Sequence, residues 1–189
     1  MQLGWMVAIV LLFTSSNAFA QDASEYRVLA TNKTSTMQKE MSEAAAAGYQ
    51  FVDVMGGETS FGGKEVVALM QKSGTAKGRY EYRLLATSKT STMQRELQDA
   101  SDAGFEFVGQ TVFESLFGGK EVAVILERNV DTPAKPSYQY KLLATKRTST
   151  LQKELDQIGK DGYEALAMTV GETAIGGAEL IIITRKRVK

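Results

Sequence analysis

The run Lys33-Thr34-Ser35-Thr36 recurs as Lys89-Thr90-Ser91-Thr92 and again as Arg147-Thr148-Ser149-Thr150. A cation, hydroxyls and the free backbone N–H groups of a helix N-terminus can together hold a phosphate, sulfate or carboxylate. Lys33, Ser35, Lys89, Ser91, Arg147 and Ser149 are therefore candidate anion ligands at three related sites. The competing reading makes each serine a helix cap and leaves the cation in solvent. Lys-Thr-Ser also ends a nucleotide-binding loop, but the glycines that precede it there are missing here, which argues against NTP binding. A hydrolase with Ser91 as nucleophile and Lys89 as base is the enzymatic alternative. No oxyanion hole or third orienting group accompanies it in the sequence.

Composition narrows the chemistry further. The chain has no His and no Cys, so the commonest acid–base group, the commonest metal ligand, thiolate metal sites and disulfides are all missing. Glu58, Glu114 and Glu172 recur with Glu65, Glu121 and Glu179 on either side of a glycine pair. Paired carboxylates can do acid–base work or bind calcium, but pairing across a hairpin with Lys64 or Lys120 is the simpler use. No loop gathers enough oxygen ligands for calcium, and no metal or cofactor is expected. Lys plus Arg equals Asp plus Glu at 22 each, so no global field favours nucleic acid. The basic run Arg185-Lys186-Arg187 reads as a solvated end to the last strand.

These groups sit in a unit written three times. Tyr26, Tyr82 and Tyr140 open the copies, and Gly48, Gly104 and Gly162, then Gly62, Gly118 and Gly176, keep the same spacing from them. Tyr82, Leu84 and Ala86 alternate with Arg83, Leu85 and Thr87, the pattern of a partly buried strand. Met93, Leu97 and Ala100 then follow at helical spacing, as do Met37, Met41 and Ala44, and Leu151, Leu155 and Ile158. Ser35, Ser91 and Ser149 stand three residues before Gln38, Gln94 and Gln152, the spacing of a capping box. Gly48, Gly104 and Gly162 mark the helix ends. Tyr49, Phe105 or Tyr163 opens a second strand, and the glycine pairs turn it into a third.

The expected fold class is α+β, as three tandem β-α-β-β units over residues 25–70, 80–128 and 138–187. A right-handed crossover makes the first two strands parallel. The third strand is apolar on both faces, which places it centrally, in sheet order 1-3-2 with one covering helix. A unit this small buries too little surface to stand alone, so the three are expected to pack into one body through sheet faces or edges. Polar linkers, Gln71 to Arg79 and Asn129 to Ser137, join them.

Residues 1–20 carry no charged side chain, and an apolar run from Trp5 to Phe13 precedes the small residues Ala18 and Ala20. This reads as a signal peptide cleaved after Ala20. The run is shorter than the roughly 20 residues of a membrane span. A periplasmic or secreted protein with no transmembrane span in its mature chain is expected.

Tyr80-Glu81-Tyr82-Arg83-Leu84-Leu85, Ala103-Gly104-Phe105-Glu106-Phe107-Val108 and the apolar strand Val122 to Arg128 resemble a small bacterial domain family without an assigned function. That family has a Tyr-x-Tyr-Lys first strand and a Gly-Trp-Glu second strand; Phe or Tyr replaces the Trp here. The resemblance covers nearly all of each unit and implies the fold and no reaction.

One further feature suggests contact with a partner. Phe61, Leu116, Phe117 and Ile175 precede the glycine pairs, where a hairpin tip would ordinarily be polar. They pack on a neighbouring unit or grip a partner, either an unknown protein or an envelope component. Taken together the residues favour an exported, non-enzymatic binding or structural scaffold, with anion binding and then hydrolysis as the alternatives.

Overall fold

A computed structural model describes residues 24–59, 63–74, 77–114, 120–132, 137–172 and 177–188. The first unit runs β1 (Tyr26–Thr31), α1 (Thr34–Ala46), β2 (Tyr49–Thr59) and β3 (Gly63–Lys72). The second runs β4 (Tyr80–Thr87), α2 (Thr90–Asp102), β5 (Glu106–Glu114) and β6 (Lys120–Asn129). The third runs β7 (Tyr138–Thr145), α3 (Thr148–Lys160), β8 (Glu164–Glu172) and β9 (Ala178–Arg187). Each unit makes its own three-stranded sheet in the order 1-3-2, with the third strand antiparallel to both neighbours. The outer two strands of each sheet are therefore parallel, as the repeat pattern predicts.

The helices begin where the polar turn ends and stop at a glycine. In α2 the Phe105 N–H donates to the Ala100 carbonyl at 3.0 Å and the Gly104 N–H to the Ser101 carbonyl at 2.8 Å. These bonds close the end of the helix, and they require the left-handed φ of +82° that Gly104 adopts at no steric cost. Met37, Met41 and Ala44 are buried along α1, and Met93, Leu97 and Ala100 along α2. On α3 Leu151 and Ile158 are buried and Leu155 packs beside them.

A bulge at the same place in every second strand, between Phe51 and Asp53, Phe107 and Gly109, and Ala165 and Ala167, shifts the alternation by one residue. Phe51 and Val54 thereby share the face of Met70 and Ala68, to which they are respectively paired. The sequence pattern did not signal this bulge.

The third strands of units 2 and 3 are buried on both sides because each of those sheets lies between two layers, whereas β3 of unit 1 is buried on its helix face alone. Val122, Val124 and Leu126 join the core around α2, whereas Ala123 and Ile125 join the core of α1, Val66, Ala68 and Met70. In the same way Ile181 and Ile183 of unit 3 face the core of unit 2, and Ile182 faces α3. Each unit thus has a helix face and an open face, and the helix face of one covers the open face of the next. The three units form an open row with unit 1 at one end and unit 3 at the other.

Candidate functional site

The strand-to-helix turns carry the repeated Lys/Arg-Thr-Ser-Thr runs, and the helices start one residue before the serine. Lys33, Lys89 and Arg147 hold the cap position in extended backbone, with no side-chain capping bond. Ser35, Ser91 and Ser149 lie one turn position inside the helices and face solvent. The capping box expected from Ser-x-x-Gln is therefore not formed. Thr31, Thr87 and Thr145 instead accept the N–H of the cap residue through Oγ1, at 3.2, 3.1 and 3.3 Å.

Lys33, Lys89 and Arg147 are exposed, and their surroundings differ in charge. The first turn shares a shallow recess with Glu96, and the second shares one with Lys120. At the third turn the Lys146 ammonium comes within 3.7 Å of where a Cβ on Gly177 would sit. Among the described residues no hydrogen bond joins Lys89 to Ser91.

On the hairpins, Glu58 lies opposite Lys64 and Glu114 opposite Lys120 in the strand register. Lys64 also reaches across the unit boundary to pair with Glu114. The repeated carboxylates thus stand beside lysines, and among the described residues no group of three or more acidic side chains is placed to hold a metal ion. Phe61, Leu116, Phe117 and Ile175, like residues 1–20, lie outside the described residues.

The most organised polar chemistry lies at the unit boundaries. The Tyr82 hydroxyl accepts the Phe51 N–H at 2.8 Å and donates to Glu127 Oε2 at 2.7 Å, while Gln50 Nε2 donates to Glu127 Oε1 at 3.3 Å. At the next boundary the Tyr140 hydroxyl accepts the Phe107 N–H at 3.0 Å, and Arg185 stands 3.7 Å from Glu106. Burial raises the pKa of Glu127 above the ordinary carboxylate range, and the Glu106 carboxylate opposite it pushes the same way. Burial and the bond to Glu127 raise the Tyr82 phenol too. A phenol held protonated is a donor rather than a base or nucleophile at neutral pH.

Helix side chains make a second set of bonds to the first strand of the following unit. That strand is a sheet edge, whose outward backbone groups need partners. Gln38 Oε1 accepts the Leu84 N–H at 2.9 Å, and Gln94 Oε1 accepts the Leu142 N–H at 2.8 Å. Gln94 Nε2 donates to the Tyr140 carbonyl at 2.8 Å, Gln98 accepts the Tyr140 N–H at 3.1 Å, and Ser101 donates to the Tyr138 carbonyl at 2.9 Å. Side chains thus take the place of a missing neighbouring strand. The threefold recurrence of the tyrosine and the glutamine in the sequence was the available signal for these roles, and local readings as strand and cap absorbed it.

Fold and boundaries together define a tandem α+β repeat row whose units share their cores. No protein-family model, curated protein or solved structure matches the chain.

Proposed function

We propose that the chain is an exported, non-enzymatic scaffold, freed of residues 1–20 and serving binding or assembly in the periplasm or outside the cell. The observation that carries this reading is where the thrice-repeated polar residues go. Tyr82, Tyr140, Gln38 and Gln94 bind the backbone of a neighbouring unit, and the repeated serines sit exposed without a bonded base. Repetition preserved the joints of a row.

Recovery of the exported protein with Gln21 as its first residue tests the leader. Capture of a partner from envelope extract, lost on Phe61→Ser with Phe117→Ser while circular dichroism stays unchanged, tests the binding role. Ester, peptide or glycoside hydrolysis that disappeared in Ser91→Ala with the fold intact would replace the scaffold with a hydrolase.

Anion binding is the second reading, favoured by the recess that Lys89 shares with Lys120. Calorimetry with phosphate and sulfate tests it. Heat that is lost in the triple variant Lys33→Ala, Lys89→Ala, Arg147→Ala supports it, and no heat from the unaltered protein removes it.

A further inference from the structure

The two boundaries inside the chain are one joint used twice. Phe51 to Tyr82 repeats as Phe107 to Tyr140, and Gln38 to Leu84 repeats as Gln94 to Leu142. Half of the same joint stands unmade at each end of the row. At the head, Tyr26 is 56% and Val28 64% exposed, whereas Tyr82 and Tyr140, in the place of Tyr26 on the inner units, are 5% and 2% exposed. Met55, at 59%, extends this apolar face, with Val67 and Leu69 half-buried between them. At the tail, Met168 is 66% and Val170 52% exposed on the face that in units 1 and 2 covers a neighbour. Gln152 stands where Gln38 and Gln94 clamp the next strand, and it bonds within its own helix to Asp156 at 2.8 Å.

We propose that a second copy of this chain covers each of these faces: the tail of one molecule docks on the head of the next and continues the row across molecules. The proposal deepens the scaffold reading, on which it rests, by naming the partner. Repeat equivalence fixes the contacts. Ala165 takes the place of Phe51 and Phe107, so its N–H meets the Tyr26 hydroxyl of the next copy. Gln152 meets the backbone of Val28. Asp156, in the place of Gln98, accepts from the N–H of Tyr26. No described side chain of the same molecule bonds to the backbone of Tyr26 or Val28. Side-chain volume also agrees: Asp53 on the head replaces Gly109 and Ala167, and the tail answers it with Ala165 where the inner joints carry Phe51 and Phe107.

Repeat rows ordinarily end in units with a polar outer face, which stops the row from growing. Here the head presents Val28, Met55, Val67 and Leu69 around the carboxylate of Asp53, and the tail presents Met168 and Val170. The contact is heterologous, so it extends as a filament, or closes as a ring if the rotation per step allows.

Sedimentation velocity and light scattering on the chain from Gln21, which keeps every described element, test the proposal over a range of concentrations. The unaltered chain is expected to show a mass that rises with concentration. Val28→Glu on the head and Met168→Glu on the tail are each expected to give monomers. An equimolar mixture of the two variants should give one-to-one dimers and nothing larger, because one intact tail and one intact head remain. An unaltered chain that stays monomeric at every concentration overturns the proposal, and so does self-association of either single variant or failure of the mixture to pair. Tyr26→Lys and Val170→Lys repeat the test should circular dichroism show the first pair misfolded. A monomeric result leaves the scaffold reading standing on its own partner-capture test.

Discussion

The Phe51 N–H of unit 1 donates to the Tyr82 hydroxyl of unit 2 at 2.8 Å, and Phe107 repeats the bond to Tyr140 at 3.0 Å. β2 and β5 are sheet edges, so an outward N–H there has no strand to accept it. The tyrosine that opens each following unit supplies the acceptor while its ring fills the boundary. One side chain thereby closes an edge and joins two cores.

Tyr82→Phe leaves the Phe51 N–H and one oxygen of Glu127 without partners, and the expected cost is about 1–3 kcal/mol of unfolding free energy. Tyr140→Phe strips the equivalent N–H at the second boundary and the hydroxyl's contact with Arg185 but no buried carboxylate, so it should cost less. Urea denaturation of the two variants checks the order. Equal losses would mean that the bond from Tyr82 to Glu127 contributes no more than the contact of Tyr140 with Arg185.

Gly109 marks the closest approach at the first boundary. A Cβ placed there would lie 2.8 Å from Phe51 Cζ and 3.4 Å from Val54 Cγ1. Gly109→Ala is expected to destabilise by about 1–3 kcal/mol through overpacking. Gly74→Ala, where nothing lies within 4 Å, is the control and should be near neutral. Because the crowding comes from the Phe51 ring, Phe51→Leu combined with Gly109→Ala should cost less than the sum of the two single changes. Additive losses in a denaturant series would count against this contact.

The repeat, the unit order and the central third strand were legible because the apolar pattern of Val122 to Leu126 on both faces admits one position in a three-stranded sheet. The layering was legible only as a need for cover; which face met which was not. The Ser-x-x-Gln spacing misled because Gln38 has two backbone targets, the first turn of its own helix and the edge of β4. Thr31 already bonds to the Lys33 N–H, and Leu84 lies within reach, so the glutamine turns outward. The bulges at Val52, Val108 and Leu166 were hidden because the strand stays apolar through them. The recurrent lysines and serines sit where the sequence put them, at the mouths of the helices, but with Glu96 at one turn and Lys120 at another.

The second boundary contains a group with no evident benefit. Both amide atoms of Gln110 are buried and have no hydrogen-bond partner among the described residues. Its counterparts in the other units are Val54 and Met168, both apolar. An unsatisfied buried amide costs about 1–3 kcal/mol, so Gln110→Met should stabilise the chain by up to that amount. A rise in the thermal midpoint is the expected reading. A fall would place a bound water or an undescribed residue on the amide.

Glu127 gives the row a pH dependence whose sign follows from its surroundings. Burial and the facing Glu106 disfavour the charged form, while the bonds from Tyr82 and Gln50 favour it, and the net shift is upward. Between the ordinary carboxylate pKa and the raised value the folded chain therefore binds more protons than the unfolded one, and stability falls as pH rises through that interval. Glu25, exposed and held below its ordinary pKa by Lys72 and Tyr49, acts in the opposite sense, so the total stability curve mixes the two. Comparison with Glu127→Gln separates them, because Glu25 and the other groups remote from Glu127 titrate alike in both proteins, and the coupling to Glu106 belongs to the Glu127 contribution. The unfolding free energy of the variant minus that of the unaltered chain should be flat at pH values below the ordinary carboxylate range, then climb with pH and level off above the raised value. A difference that fell with pH over that interval would show the Tyr82 and Gln50 bonds outweighing burial.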